Sequence, residues 1–306
     1  MDINVLLWFQ GLRTPLLNAL NYGVTLFAEE AVLLVVLCAM YWCFAKREAL
    51  FVIFSFFAGL LVNNALKVSF CVLRPWLRDA RVLPYEKALA SATGYSFPSG
   101  HTASAVAVYG GFSLLLWQKK RWAACLLVLR AVLIGVSRMY VGVHTPQDVL
   151  VSLVVGAALL FAVRAGMRGL ERHPERDVWL LAGGLLAALA LMLFTHFKPY
   201  PADTDRAILQ DSYKTAGALA GLAVGWFLER RFVRFDPRAV WWLQAVKIVG
   251  GILGILATRA LLKPVCIALV GADFGGALRY FLLVLWGIWL WPLLFSKWQK
   301  LVSREK

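Results

Sequence analysis

Three short stretches hold the residues of this chain that could do chemistry. They are Lys67-x6-Arg74-Pro75, then Pro98-Ser99-Gly100-His101, then Ser137-Arg138-x5-His144-x3-Asp148. Between them they supply three cations, two histidines, a carboxylate and a glycine-containing turn. That inventory suits phosphoryl transfer through a histidine: cations hold the phosphoryl oxygens, one imidazole attacks, the other gives a proton, and the carboxylate orients the attacker.

Local spacing gives each stretch a geometry. Lys67 and Arg74 are seven apart, two helical turns, so both face one phosphate if the helix continues, and Pro75 would end it. Arg138 adds a planar fork matched to phosphate oxygens. Ser99 suits an N-cap, and Gly100 lets a ligand approach backbone N–H groups that favour an anion. Thr145-Pro146-Gln147-Asp148 reads as a capping box with proline at the first helical position. The same Asp148 is spaced to accept from His144, which would fix the tautomer and leave the other ring nitrogen as a nucleophile. Taken singly, each cation reads as a snorkelling side chain and each Ser, Thr or Asp as a cap.

The elements that must position these residues are membrane helices. The chain is 61% hydrophobic and 16% charged, and apolar runs recur from end to end. Residues 1–29 are interrupted by Gln10, Arg13, Pro15, Asn18 and Asn21, which predicts an amphipathic segment lying at the interface. Nine candidate spans follow, at about 30–46, 48–72, 102–118, 121–141, 146–166, 177–196, 212–229, 239–262 and 275–296. The expected fold is an all-α polytopic bundle: a six-span catalytic core over 30–200 and three further spans over 201–306.

Charge orients the bundle. Lys46, Arg47, Lys119, Lys120, Arg121, Arg164, Arg168, Arg172, Arg176, Arg230, Arg231, Arg234, Arg238 and the tail Lys297, Lys300, Arg304 and Lys306 fall in one set of loops. By the positive-inside rule that set and the C-terminus are cytoplasmic, and all three motifs meet on the outer face. The net charge of +15 therefore reads as orientation and anionic-lipid contact, with no nucleic-acid partner. The long connection 73–98 is read as a binding loop or lid, or equally as a mobile surface loop. Gly217, Gly221 and Gly225 recur every four residues, a helix-packing stripe whose alternative use is a groove for a lipid tail. Arg130 and Lys247 fall inside spans and need partners. Trp241, Trp242, Trp286, Trp289 and Trp291 suit interfacial belts. His173 and His196 read as surface-loop residues, and five scattered cysteines as buried hydrophobes without metal spacing. The acidic N-terminus shows no cleavable signal pattern.

The three stretches resemble the signature of the type 2 phosphatidic acid phosphatase/haloperoxidase superfamily, K-x6-RP, PSGH and SR-x5-H-x3-D, at all eleven specified residues. The resemblance covers the core from about residue 30 to 196 and leaves the last three spans uncovered. It implies a metal-free, cofactor-free phosphatase working through a phosphohistidine on a lipid phosphate or diphosphate: phosphatidate, phosphatidylglycerol phosphate, a polyprenyl diphosphate or a sphingoid phosphate. His144 would be the nucleophile, Asp148 its orienting partner and His101 the acid that protonates the leaving oxygen. Lys67, Arg74, Arg138 and the Ser99–Gly100 turn would hold the phosphoryl group. Lipid-to-lipid phosphotransfer, a transporter or scramblase retaining the site, and a vanadate-dependent haloperoxidase are the competing readings. The last is disfavoured because its soluble relatives do not explain nine spans. The expected setting is a plasma or bacterial inner membrane, with bilayer lipid as partner and a homo-oligomer allowed.

Overall fold

The computed structural model describes residues 2–201, 204 and 206–304, and all regular structure among them is helical. The helices are α1 (Asp2–Gly11), α2 (Pro15–Leu26), α3 (Glu30–Ala39), α4 (Lys46–Phe70), the short α5 (Pro75–Arg78) and α6 (Glu86–Leu89), α7 (Gly100–Ala105), α8 (Gly111–Leu116), α9 (Arg121–Tyr140), α10 (Pro146–Arg172), α11 (Asp177–Phe197), α12 (Arg206–Leu228), α13 (Trp241–Leu285) and α14 (Trp291–Arg304). A π turn at Val106–Gly110 joins α7 to α8, and another at Met40–Phe44 extends α3. Each expected span has a helix. Among the described residues, five helical stretches are long and apolar enough alone to cross a bilayer, and six if α2 and the α3 stretch, bent by 44°, count as one span. Lys306 and the side chains of Lys300 and Arg304 lie outside the described residues.

The chain divides into two compact units. One comprises Met1–Leu34, Phe51–Ala165 and Asp203–Ile208; the other comprises Val35–Leu50, Gly166–Ala202 and Leu209–Lys306. All three sequence motifs fall in the first.

In the first unit, small residues let the helices behind the motifs close up. A β-carbon on Gly135 of α9 would sit 2.7 Å from Val149 of α10, and one on Gly156 of α10 would sit 2.8 Å from Val106. No side chain fits at either place. Residues 2–26 form two helices, broken where Thr14 caps α2 (Leu17 N–H to Thr14 Oγ1, 3.2 Å) and Pro15 takes its first position. Arg13, in the break, donates to the carbonyls of Tyr140 (2.9 Å) and Leu83. Stretch 73–98 is not a free loop. It carries α5 and α6, its Tyr85 N–H bonds Val141 O (2.9 Å), and Ala88 and Ala92 pack into an apolar cluster with Tyr140, Val141 and Val143.

The second unit settles the use of the glycine stripe. A β-carbon on Gly217 would lie 1.9 Å from Ala277 O, and one on Gly221 would lie 2.5 Å from Phe281 O. The backbone of α13 therefore fills the stripe, and no lipid tail fits there. Helix α13 reverses at Gly271 (φ 80°, ψ 172°), so the expected span 239–262 is its first limb, and 275–296 is its second limb continued through the π turn Trp286–Leu290 into α14. Trp286 Nε1 donates to Gly251 O (3.3 Å) and Trp291 Nε1 to Lys247 O (2.8 Å) across the returning limbs. These two rings stack at 5.7 Å in the packing between helices rather than in a belt, whereas Trp241 is 82% exposed. Lys247 is fully buried, donates to Pro237 O (3.1 Å) and lies 4.8 Å from the Phe295 ring centre. His173 is exposed beside Glu175, as expected. His196 is not in a loop: it sits in the last turn of α11, bonded to Tyr213 Oη (3.3 Å).

Candidate active site

Helix α4 does not reach Arg74. It ends at Phe70, and Cys71 takes a left-handed conformation (φ 49°). Arg74 instead stands at the N-cap of α5, with Pro75 opening that helix rather than closing α4. The two-turn alignment of Lys67 with Arg74 is thus replaced by a fold-back, held by Ser96 N–H to Val72 O (2.8 Å).

That fold-back gives Arg74 a double duty. Its guanidinium donates to the carbonyls of Gly94 (2.9 Å), Thr93 (2.6 Å) and Val143 (3.0 Å), tying the 93–94 turn to the segment after α9. Its Nη1 also lies 3.1 Å from His144 Nε2. An arginine can only donate, so Nε2 carries the lone pair. Lys67, one helical turn beyond Asn63, donates from Nζ to Tyr95 O (2.6 Å).

The tautomer follows. With Nε2 accepting, Nδ1 carries the proton and faces Asp148 Oδ2 at 3.4 Å. The same oxygen accepts from Thr145 N–H (2.8 Å) and from Ser96 Oγ (2.5 Å). Asp148 N–H lies 3.5 Å from Thr145 Oγ1, so the capping box forms and the carboxylate caps α10 while facing the imidazole. Burial, and then the Arg74 charge, push the His144 imidazole well below its usual pKa. It is a neutral ring with a fixed tautomer and an available lone pair.

Ser99 caps α7 as expected. Its Oγ accepts from Thr102 N–H (3.4 Å) and Thr102 Oγ1 (2.9 Å), and its own N–H donates to Asp148 O (3.2 Å). Gly100 follows, and a β-carbon there would lie 3.7 Å from Asn63 Oδ1. His101 is mostly covered, and its Nε2 lies 3.2 Å from Glu29 Oε1.

Arg138, in the last turn of α9, is completely buried, yet none of its three guanidinium nitrogens has a hydrogen-bond partner among the described residues. A buried, unpaired cation is expensive, and an anion of the right shape would remove that cost. Its charge acts on Arg74, His101 and His144, so the guanidinium belongs to the same cluster.

All eight predicted residues therefore lie in one compact unit, and the chemistry-bearing ones are buried or nearly so. Three further residues were not singled out from sequence. Asn63, four before Lys67 and thus on its face of α4, has a buried Nδ2 with no hydrogen-bond partner among the described residues; the four-residue spacing was a readable signal. Ser96, two before the PSGH turn, donates to Asp148. Glu29 lies far upstream and gave no signal. Arg130, whose partner sequence could not name, stacks 4.0 Å from the Phe27 ring centre and 5.1 Å from that of Tyr109.

Known families match the stretches of chain described above. Residues 48–172 match the family described as PAP2 superfamily, and residues 213–304 match the one described as PAP2 superfamily phosphatase, transmembrane extension. Phosphatidylglycerophosphatase B of Bacillus subtilis is 28% identical over 54% of this chain and 82% of its own length. An undecaprenyl-diphosphatase of Sulfolobus acidocaldarius is 32% identical, and the match spans 38% of this chain and only about half (53%) of that relative. A crystal structure of a transmembrane PAP2-type phosphatidylglycerolphosphate phosphatase from Bacillus subtilis aligns at 26% identity, TM-score 0.46, over 56% of this chain and 87% of that one. With both of its parts matched, one over the motifs and the other over the C-terminal helices, the chain belongs to the PAP2 superfamily.

Proposed function

We propose that this protein is a membrane lipid phosphatase that hydrolyses a lipid phosphate or diphosphate through a phosphohistidine on His144, without a metal. The observation that carries this reading is one buried cluster. It joins a neutral His144, whose lone pair sits under Arg74 while its other nitrogen faces Asp148, to the unpaired guanidinium of Arg138.

The chemistry runs in two steps. Nε2 of His144 attacks phosphorus, the bond from phosphorus to the lipid oxygen breaks, and His101 gives its proton to that oxygen. Asp148 faces the imidazolium that forms and balances its charge. A water then attacks the phosphohistidine, giving its proton back to His101, and the P–N bond breaks to release phosphate and the neutral ring. Arg138, Lys67 and the last free N–H of Arg74 take the equatorial oxygens, where charge builds in the transition state. The Nη1 that covers Nε2 in the resting site is placed to receive an oxygen of the incoming phosphoryl group. These three cations supply the charge stabilisation that a metal supplies in other phosphatases.

The substrate class follows the relatives: one is named for phosphatidylglycerophosphate and the other for undecaprenyl diphosphate. The positive-inside rule, applied to the basic loops, supports a site on the outer face and a cytoplasmic C-terminus, as in a bacterial inner-membrane enzyme.

The test is phosphate release by purified, detergent-solubilised protein against lipid mono- and diphosphates, beside His144→Ala. We expect release by the parent, none by the variant, and no change on adding a chelator. An acid-labile, alkali-stable phosphoprotein should be trapped from labelled substrate. Turnover retained in His144→Ala overturns the phosphohistidine, and inhibition by a chelator overturns the metal-free mechanism.

A further inference from the structure

His101 must hold a proton to protonate the leaving oxygen, yet its surroundings oppose that charge. Arg138 from α9 and Arg74 from the segment ahead of α5 both act on the ring, and it is largely covered from water. A carboxylate within hydrogen-bond distance of the ring opposes them. Glu29 lies in the break between α2 and α3, with Oε1 3.2 Å from His101 Nε2. It lies outside both stretches that match the family.

The position of Glu29 is built, because the break is pinned on several sides. Thr25 Oγ1 and Ser137 Oγ share a buried hydrogen bond at 2.9 Å, next to Arg138 in sequence. Tyr109 Oη donates to Phe27 O (2.7 Å), the Phe27 ring lies against the Arg130 guanidinium, and Ala28 is buried.

We propose that Glu29 is a positioning residue for His101, forming a second histidine–carboxylate pair in the site. Asp148 holds the nucleophile in the tautomer that attacks; Glu29 holds the acid in the orientation and charge state that donates. With Nε2–H engaged by Glu29, the proton on Nδ1 is the one passed to the lipid oxygen as the P–O bond breaks. His101 is left neutral, still bonded to Glu29, and ready to take a proton from the attacking water. The role rests on the phosphatase reading above.

The experiment compares the parent, Glu29→Gln and Glu29→Asp as full-length protein in the same detergent. Each is assayed across pH on an alkyl phosphate lipid and on nitrophenyl phosphate, with His144→Ala as control. For Glu29→Gln we expect kcat on the alkyl substrate to fall about tenfold or more with KM little changed, and a clearly smaller loss on nitrophenyl phosphate, whose leaving group needs no proton. The alkaline limb of the alkyl profile should move down by about one pH unit, because the carboxylate that bonds the ring is gone. Glu29→Asp, which keeps the charge but withdraws it by one methylene, should show a smaller shift. Equal losses on both substrates, or an unmoved alkaline limb, overturn the proposal. If Glu29→Gln does not yield monodisperse protein, Glu29→Asp decides by the same limb, and a parental limb there overturns it. Failure of the wider reading looks different: His144→Ala would then keep its activity.

Discussion

At the scale of single residues, the proposed phosphate site has a stability cost. Arg138 is the clearest case, a guanidinium with no exposure and no acceptor among the described residues. Removing an unpaired buried charge removes its desolvation cost, whereas removing one member of a satisfied pair leaves the other stranded. We therefore expect Arg138→Met to lose activity by about a hundredfold or more while its thermal midpoint in phosphate-free detergent stays level or rises. Millimolar inorganic phosphate should raise the parent's midpoint and leave the variant's unchanged, since only a ligand that binds the folded state stabilises it. A midpoint several degrees below the parent's would show that Arg138 has a structural partner after all. The residues of this site were legible in the sequence to the extent that chemistry dictates type and spacing. His144, Asp148 and Thr145 lie within one helical turn, and their hydrogen bonds follow from the capping box. Glu29 was not legible, because nothing in residues 25–30 relates to a histidine 72 positions later until the chain folds.

At the scale of elements, the connection between α9 and α10 sets the distance from Arg138 to His144. It turns at Gly142 in the left-handed region (φ +79°), where a β-carbon would lie 2.9 Å from Arg13 Nη2 and 3.4 Å from Leu83 O. The backbone conformation disfavours a side chain, and a β-carbon would also displace the Arg13 guanidinium. Gly142→Ala should cost about 1–3 kcal/mol of stability and lower kcat as well, because the Arg13 clamp on Tyr140 must shift. Gly11→Ala, with nothing within 4 Å, serves as the neutral control, and thermal unfolding with turnover measures both. A Gly142→Ala protein matching the parent in both would mean the turn does not set the site. Hydropathy revealed the helices because apolar length is a linear property of the chain. It could not show where α4 stops: Cys71 turns left-handed inside an apolar run, and Arg74 is placed by the carbonyls of Thr93, Gly94 and Val143, a tertiary arrangement.

At the scale of the whole molecule, linear order and compact units disagree. Residues 30–200 read as one core, but segments 35–50 and 166–202 cluster with the C-terminal helices, while the chemistry stays in the other unit. Sequence order cannot reveal such interleaving, because hydropathy locates spans without saying which of them pack together. What sequence does supply is orientation, and the first unit allows a test of it without reference to the second. Lys87, in α6 of the folded 73–98 stretch, and Lys119, after α8, are both exposed and stand on either side of the helical stretch that His101 opens. By the positive-inside rule the first faces outward and the second inward. None of the five cysteines is in a disulfide, so a cysteine-free background is chemically reasonable, and Lys87→Cys or Lys119→Cys can be introduced singly. In intact cells a membrane-impermeant maleimide should label the cysteine at 87 at once and the cysteine at 119 only after permeabilisation. The converse pattern would put the phosphohistidine chemistry on the cytoplasmic face and require its lipid substrate from the inner leaflet. Labelling of both in intact cells would mean that α7 and α8 do not cross the bilayer.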